Sequence, residues 1–160
     1  MHFALKPENP PCPLNAGIVI GTAVGALFEG VVLGQLLGWH SAASTWYPVD
    51  SVHNLNTNRI WDGVLQVGTY LLLTVGLFML IRSAHSYDRW SILCLAGAVL
   101  MGWGAFNLVE GIVVHEALGI HHANERASAD GRFVWDLILL GWGAASLACG
   151  IILISVCKTK

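Results

Sequence analysis

Four long apolar stretches, separated by polar connections, make up most of this 160-residue sequence and dictate what it can become. A helix needs about 20 apolar residues to cross the hydrocarbon core of a bilayer. The stretches 15–39, 61–81, 90–119 and 133–156 each meet that length. Inside lipid the backbone has no water to bond, so stretches of this kind are expected to be helices. Only 11% of the residues are charged and 55% are hydrophobic, whereas a soluble domain carries about 25% charged residues. A disordered chain and an ordinary soluble enzyme are both excluded. The net charge of −2 leaves no basic face for nucleic acid. The expected architecture is all-α, an integral membrane four-helix bundle forming one domain over residues 1–160.

The basic residues suggest a direction across the bilayer. Lys6, Arg82, Arg89, Lys158 and Lys160 lie on the side of the termini and the short second connection, against Arg59, Arg126 and Arg132 on the other side. Five against three favours cytoplasmic termini. The N-terminus is polar and proline-rich, without the pattern of a removable signal peptide. Cys12, Cys94, Cys149 and Cys157 then fall toward the inner half, where thiols stay reduced, and each reads as a small apolar residue. His40, His53, His115, His121 and His122 gather at the outer ends of the first and third stretches. Trp39, Trp46, Trp61 and Trp135 fit the interfacial positions that anchor a helix.

Self-similarity is the second strong signal. Residues 28–40 (FEGVVLGQLLGWH) and 109–121 (VEGIVVHEALGIH) share six of thirteen positions, pairing Glu29 with Glu110, Gly30 with Gly111, Gly38 with Gly119 and His40 with His121. The following stretches open alike, Arg59-Ile-Trp-Asp62 against Arg132-Phe-Val-Trp-Asp136. The expected arrangement is two parallel helical hairpins about a pseudo-twofold axis along the membrane normal. Glycines spaced by four (Gly17, Gly21, Gly25, then Gly30, Gly34, Gly38) let backbones approach closely. They also offer a face for a homodimer or a partner subunit. The second repeat reads Gly111, His115, Gly119, so Gly34 is expected to leave room for the His115 ring.

A carboxylate inside a membrane costs a few kcal/mol and normally faces the bundle interior with a partner. Glu29, Glu110, Asp62 and Asp136 can all converge in the outer third of the bundle. Imidazole and carboxylate together suit Zn, Cu(II), Fe or Mn. The first candidates as ligands are His115, His121, His122, Glu110 and His40, with Glu29, Asp62, Asp136, Glu116 and Asn107 as their partners or a proton relay. Asn107 stands one turn before Glu110 and can bond it or a neighbouring backbone carbonyl. Glu29 and His40 are 11 residues apart, a gap of about 16 Å on a straight helix, which separates them too far to share an ion. Glu110 and His121 have the same spacing. Glu-x4-His is not the Glu-x-x-His of a ferritin-like di-iron site, and nothing resembles a nucleophile elbow or a phosphate-cradling loop.

The run Gly102-Trp-Gly-Ala-Phe-Asn107-Leu-Val-Glu110-Gly111, with His115 and Gly119-Ile-His121-His122, resembles a family of uncharacterised four-helix bacterial integral membrane proteins. Glu29-Gly30 through Trp39-His40 and Trp61-Asp62-Gly63 fit the same pattern, so the resemblance covers nearly the whole chain. It implies a bacterial inner-membrane protein and names no activity. The family tends to carry His where Gly34, Ser41 and Gln66 stand here, and Asp where Glu29 stands. The leading expectation is a transition-metal ion (Zn, Cu or Fe) held near the outer face, for metal handling or redox support. A b-type haem or quinone electron carrier, a structural accessory subunit without cofactor, and a proton or ion path along the acids are the alternatives.

Overall fold

The computed structural model describes residues 12–86 and 91–158. Lys6, Arg89 and Lys160 from the charge argument, and Trp90 at the start of the third apolar stretch, lie outside the described residues. Four helical segments follow one another, with no strand among the described residues. The first is α1 (Leu14–Leu27), continued without a break by wider turns, π1 (Phe28–Leu36). Next comes α2 (Val52–Ser86); then α3 (Ile92–Glu110), continued by π2 (Gly111–Ala117); and last α4 (Ala129–Lys158). All four are long and apolar enough to cross a membrane.

Local chemistry explains where they begin. Pro13 precedes α1 with its carbonyl accepting the Gly17 N–H at 2.9 Å; a fixed φ and a missing N–H suit proline to a helix start. The Ser91 hydroxyl accepts the Cys94 N–H at 3.2 Å and caps α3. Helix α2 starts at Val52, well ahead of the apolar stretch that begins at Trp61, because its first turns are polar and capped. The Ser51 hydroxyl accepts the Asn54 N–H at 3.2 Å, and buried Asn58 donates to the Tyr47 carbonyl at 2.7 Å. Helix α4 likewise starts at Ala129, with Ser128 Oγ accepting the Gly131 N–H at 3.3 Å.

Helices α1 and α3 meet with their backbones almost touching. A Cβ on Gly21 would collide with the Val99 carbonyl, and one on Gly102 would collide with the Ile18 carbonyl. Only glycine permits this approach, and it places Thr22 Oγ1 within 3.4 Å of the Gly102 carbonyl. Helix α4 packs as closely on α3, where a Cβ on Gly104 would stand 2.5 Å from the Gly143 oxygen. At the end of the bundle away from His40, His115 and His121, Cys94, Ala98, Ile154 and Cys157 form a buried cluster with Cys12 against it, and none of the four cysteines is in a disulfide. Helix α2 is the outlier. Its most apolar window is 6% buried, against 28–39% for the other three, so most of its surface is left for lipid.

The ends of the first and third segments carry the feature that positions everything else. In π1 and π2 the backbone winds to i→i+5 bonds, with Leu37 N–H on the Val32 carbonyl and Leu118 N–H on the Val113 carbonyl, both at 2.9 Å. Such wide turns are rare and concentrate at functional sites. Each is followed by a glycine in the left-handed region, Gly38 at φ 60° and Gly119 at φ 56°, which stops the helix. The chain then doubles back as a loop, residues 37–51 after π1 and 118–128 after π2.

Candidate metal centre

The two loops fold over the ends of the helices and lock together. Glu125 N–H donates to the Trp39 carbonyl at 2.9 Å, Ser44 Oγ donates to Glu125 Oε1 at 2.7 Å, and Thr45 Oγ1 donates to the Gly119 carbonyl at 3.0 Å. An aspartate from the following helix holds each loop: Asp62 Oδ1 accepts the Ala42 N–H and Asp136 Oδ1 accepts the Ala123 N–H, both at 2.8 Å. His40 and His121, one from each loop, stack face to face with ring centres 4.6 Å apart and planes within 8°.

This return of the chain corrects the straight-helix expectation. His40 does not lie a further 16 Å along the axis from Glu29; its Nε2 stands 3.9 Å from Glu29 Oε1. The cause is the left-handed Gly38, which ends the helix and turns His40 back toward the depth of Glu29. Gly119 does the same for His121, whose ring comes to 5.0 Å from that of His115. Glu29, Glu110, His115 and His121 each offer one ligand atom, and these atoms all lie within 4.8 Å of one another.

Burial makes the cluster chemically demanding. Glu29, His115 and His121 are 4%, 1% and 6% exposed. Both carboxylate oxygens of Glu29, Glu110 Oε2, His115 Nε2 and His121 Nδ1 are buried without a hydrogen-bond partner in the protein. An unmet polar atom in such a place costs about 1–3 kcal/mol, and here several converge on one point. Atoms coordinating one ion at ~2.1 Å stand roughly 3–4 Å apart. The 3.7 Å between His115 Nε2 and Glu29 Oε1 and the 3.9 Å to His40 fit that spacing.

The histidines are oriented from behind. Asp136, fully buried, bonds His122 Nδ1 at 2.7 Å and stands 3.1 Å from His115 Nδ1 without hydrogen-bond geometry, while His115 Nε2 faces Glu29. His40 Nδ1 lies 3.2 Å from the Ala123 carbonyl; a donated Nδ1 proton leaves Nε2 with its lone pair toward the cluster. Burial, and then the His40 and His115 rings beside it, lower the His121 pKa to about 3. At neutral pH the His121 ring is therefore uncharged and able to act as a ligand.

Other sequence candidates fall elsewhere. His122 faces Asp136 and is half-exposed, outside the group of four. Glu116 points to the exposed side of π2. Asn107 is buried against α4, its Nδ2 without a partner, so this amide nitrogen does not bond Glu110. Gly34 does not make room for the His115 ring: a Cβ there would meet Glu29 and His40 atoms at 3.6 Å. Trp39 packs on Trp135 with ring centres 4.7 Å apart, while Trp46 and Trp61 are exposed. The sequence reading misses Ser44 and Glu125, the link between the loops, and does not rank Gln66 as a site residue. Gln66 does carry a signal in the residues themselves, an amide alone in an apolar stretch.

No curated protein and no solved structure matches the chain. The family model described as "Predicted membrane protein (DUF2243)" matches residues 16–156, close to the full length. With four apolar helices and a match of that extent, the chain belongs to this family of predicted membrane proteins.

Proposed function

We propose that this protein holds one transition-metal ion in a cage formed by Glu29, Glu110, His115 and His121, with His40 as a further ligand. The observation that carries this reading is the convergence of four ligand atoms within 4.8 Å, most of them buried and without a protein partner. Two carboxylates and two or three imidazoles suit Zn, Fe, Mn or Cu(II). Asp136 behind His115 supplies the carboxylate that commonly orients a metal-binding imidazole. An open cavity of about 820 Å³ on the loop face, lined by Asp62 and Glu125 as well as Arg59 and Arg126, reaches His40 and gives an ion a route in. The stacked His40 and His121 rings favour an ion over haem, because a macrocycle ligated by that pair would have to lie between them.

Within this reading the protein sits in the bacterial inner membrane with both termini in the cytoplasm, and the ion lies near the outer face for metal handling or redox support. The chain is two parallel hairpins in tandem. Supporting the tandem are the paired glycines at positive φ, the paired aspartates on the loops, and the reciprocal close approaches of Gly21 and Gly102.

The test is elemental analysis together with an absorption spectrum of protein purified in detergent without a metal-binding tag. One ion per chain is expected, lost in the His115→Ala/His121→Ala double variant and retained in Glu116→Ala. A folded, metal-free protein that takes up none of these ions when they are added defeats the proposal, and a strong Soret band replaces it with a cytochrome.

A further inference from the structure

Opening onto the cluster, between α1, α2 and α3, lies a cavity of about 500 Å³ whose wall includes Glu29, His40, Glu110 and His121. Its counterpart on the α4 side is filled: Leu140 packs on Gly111, and Trp135 on Trp39. On this side Gln66 reaches over the bare Gly30, and Gly34 carries no side chain, so the space stays open. Trp61, Leu65 and Val109 at its rim are exposed on apolar segments, which directs the opening toward lipid. Phe106, Val114 and Ile120 add to its apolar wall.

Apart from the cluster residues, Gln66 and Asp62 each turn an acceptor to the space, while Thr69 spends its hydroxyl on the Leu65 carbonyl. Gln66 Oε1 is buried without a donor. Asp62 uses Oδ1 on the Ala42 N–H and keeps its second oxygen. No Lys or Arg lines the cavity, so an anionic head such as a phosphate or fatty-acid carboxylate finds no countercharge beside these acids. A cavity of ~150 Å³ accommodates benzene; one of this size admits a substituted ring and the start of a chain.

We infer that this cavity binds a lipid-soluble dihydroxy-aromatic molecule, a quinol, whose hydroxyls donate to Gln66 and Asp62 while its ring lies against Trp61 and Phe106. The cavity shares a wall with the proposed ion site, but the quinol contacts, Gln66, Asp62, Trp61 and Phe106, are not among the ion ligands, so the binding does not require the ion. The probe is a tail-less dimethoxy-methyl-benzoquinol, kept under argon and titrated calorimetrically into protein in detergent. One quinol per chain is expected. The corresponding quinone, which has no hydroxyl to donate, should bind at least about tenfold more weakly.

Gln66→Leu should weaken quinol binding about tenfold, and Val114→Phe, which fills the space, should abolish it. Circular dichroism checks that both variants keep their helices, and their metal content is measured in parallel. Equal affinity for quinone and quinol overturns the inference, as does binding indifferent to both substitutions or displacement of the quinol by laurate. A metal-free chain that binds the quinol defeats only the ion proposal. A metal-loaded chain that ignores the quinol defeats only this one.

Discussion

Asp136 is a carboxylate with no exposed surface that survives burial because the Ala123 N–H, His115 and His122 surround it. Asp136→Asn keeps the shape and removes the charge. Weakening its hydrogen bond to His122 costs about 1–3 kcal/mol, and, on the proposed ion site, losing the carboxylate behind a metal-binding imidazole weakens the metal about 10–100-fold. The variant is therefore expected to unfold earlier in detergent melts and to lose its ion to a weaker chelator. An unchanged melt would mean that the His115 and His122 contacts contribute nothing. Several of these residues are visible in the sequence as acids and imidazoles in otherwise apolar surroundings. Their partners are not, because a contact such as Asp136 with His122 depends on where a loop returns. Gln66 shows the reverse case, since its isolation in an apolar stretch is legible but its acceptor role needs the cavity.

At the level of elements, the wide turns and the left-handed glycines decide the site. Gly119 offers a clean measurement because a Cβ there meets nothing within 4 Å. The cost of Gly119→Ala is then conformational alone, about 1–2 kcal/mol for a left-handed non-glycine residue. Gly38→Ala should cost at least as much, since its Cβ would stand 2.6 Å from Arg126 Nη2, and the flexible guanidinium must shift. Thermal melts of the two variants compare these costs directly. If Gly119→Ala melts like the parent, the φ of this turn is not what holds the loop. The apolar stretches are legible because a bilayer imposes a minimum length on any helix that crosses it. The fold-back is not legible by counting 1.5 Å per residue, a rule that holds only while the helix continues. The cue is Gly38 and Gly119 just before Trp39-His40 and Ile120-His121, where a glycine can close a helix as readily as it can extend a packing row.

For the molecule as a whole, the backbone contacts α1–α3 and α3–α4 form a tight core, and α2 leans on α1, with Gly76 against Ile20, while little of its apolar length is buried. On the proposed ion site, the unmet buried groups of the cluster make the metal-free protein less stable than the loaded one. A ligand that binds only the folded state stabilises it by about 2.7 kcal/mol at 100 times its Kd. Melting temperature should accordingly rise with added metal and fall with EDTA, and the His115→Ala/His121→Ala variant should show no such dependence. Equal response in both would place the metal elsewhere.

The interlocking of the two loops has a consequence for how the protein is made. A chain synthesised only as far as Ser86 holds Glu29 and His40 but lacks Glu110, His115 and His121. It also lacks Ala123, Glu125 and Gly119, whose backbone and side-chain groups bind the first loop. Neither half can assemble the cage alone. On the proposed ion site, the cage cannot close before the second loop, residues 118–128, has been made, and Asp136 of α4 reaches His115 only after that.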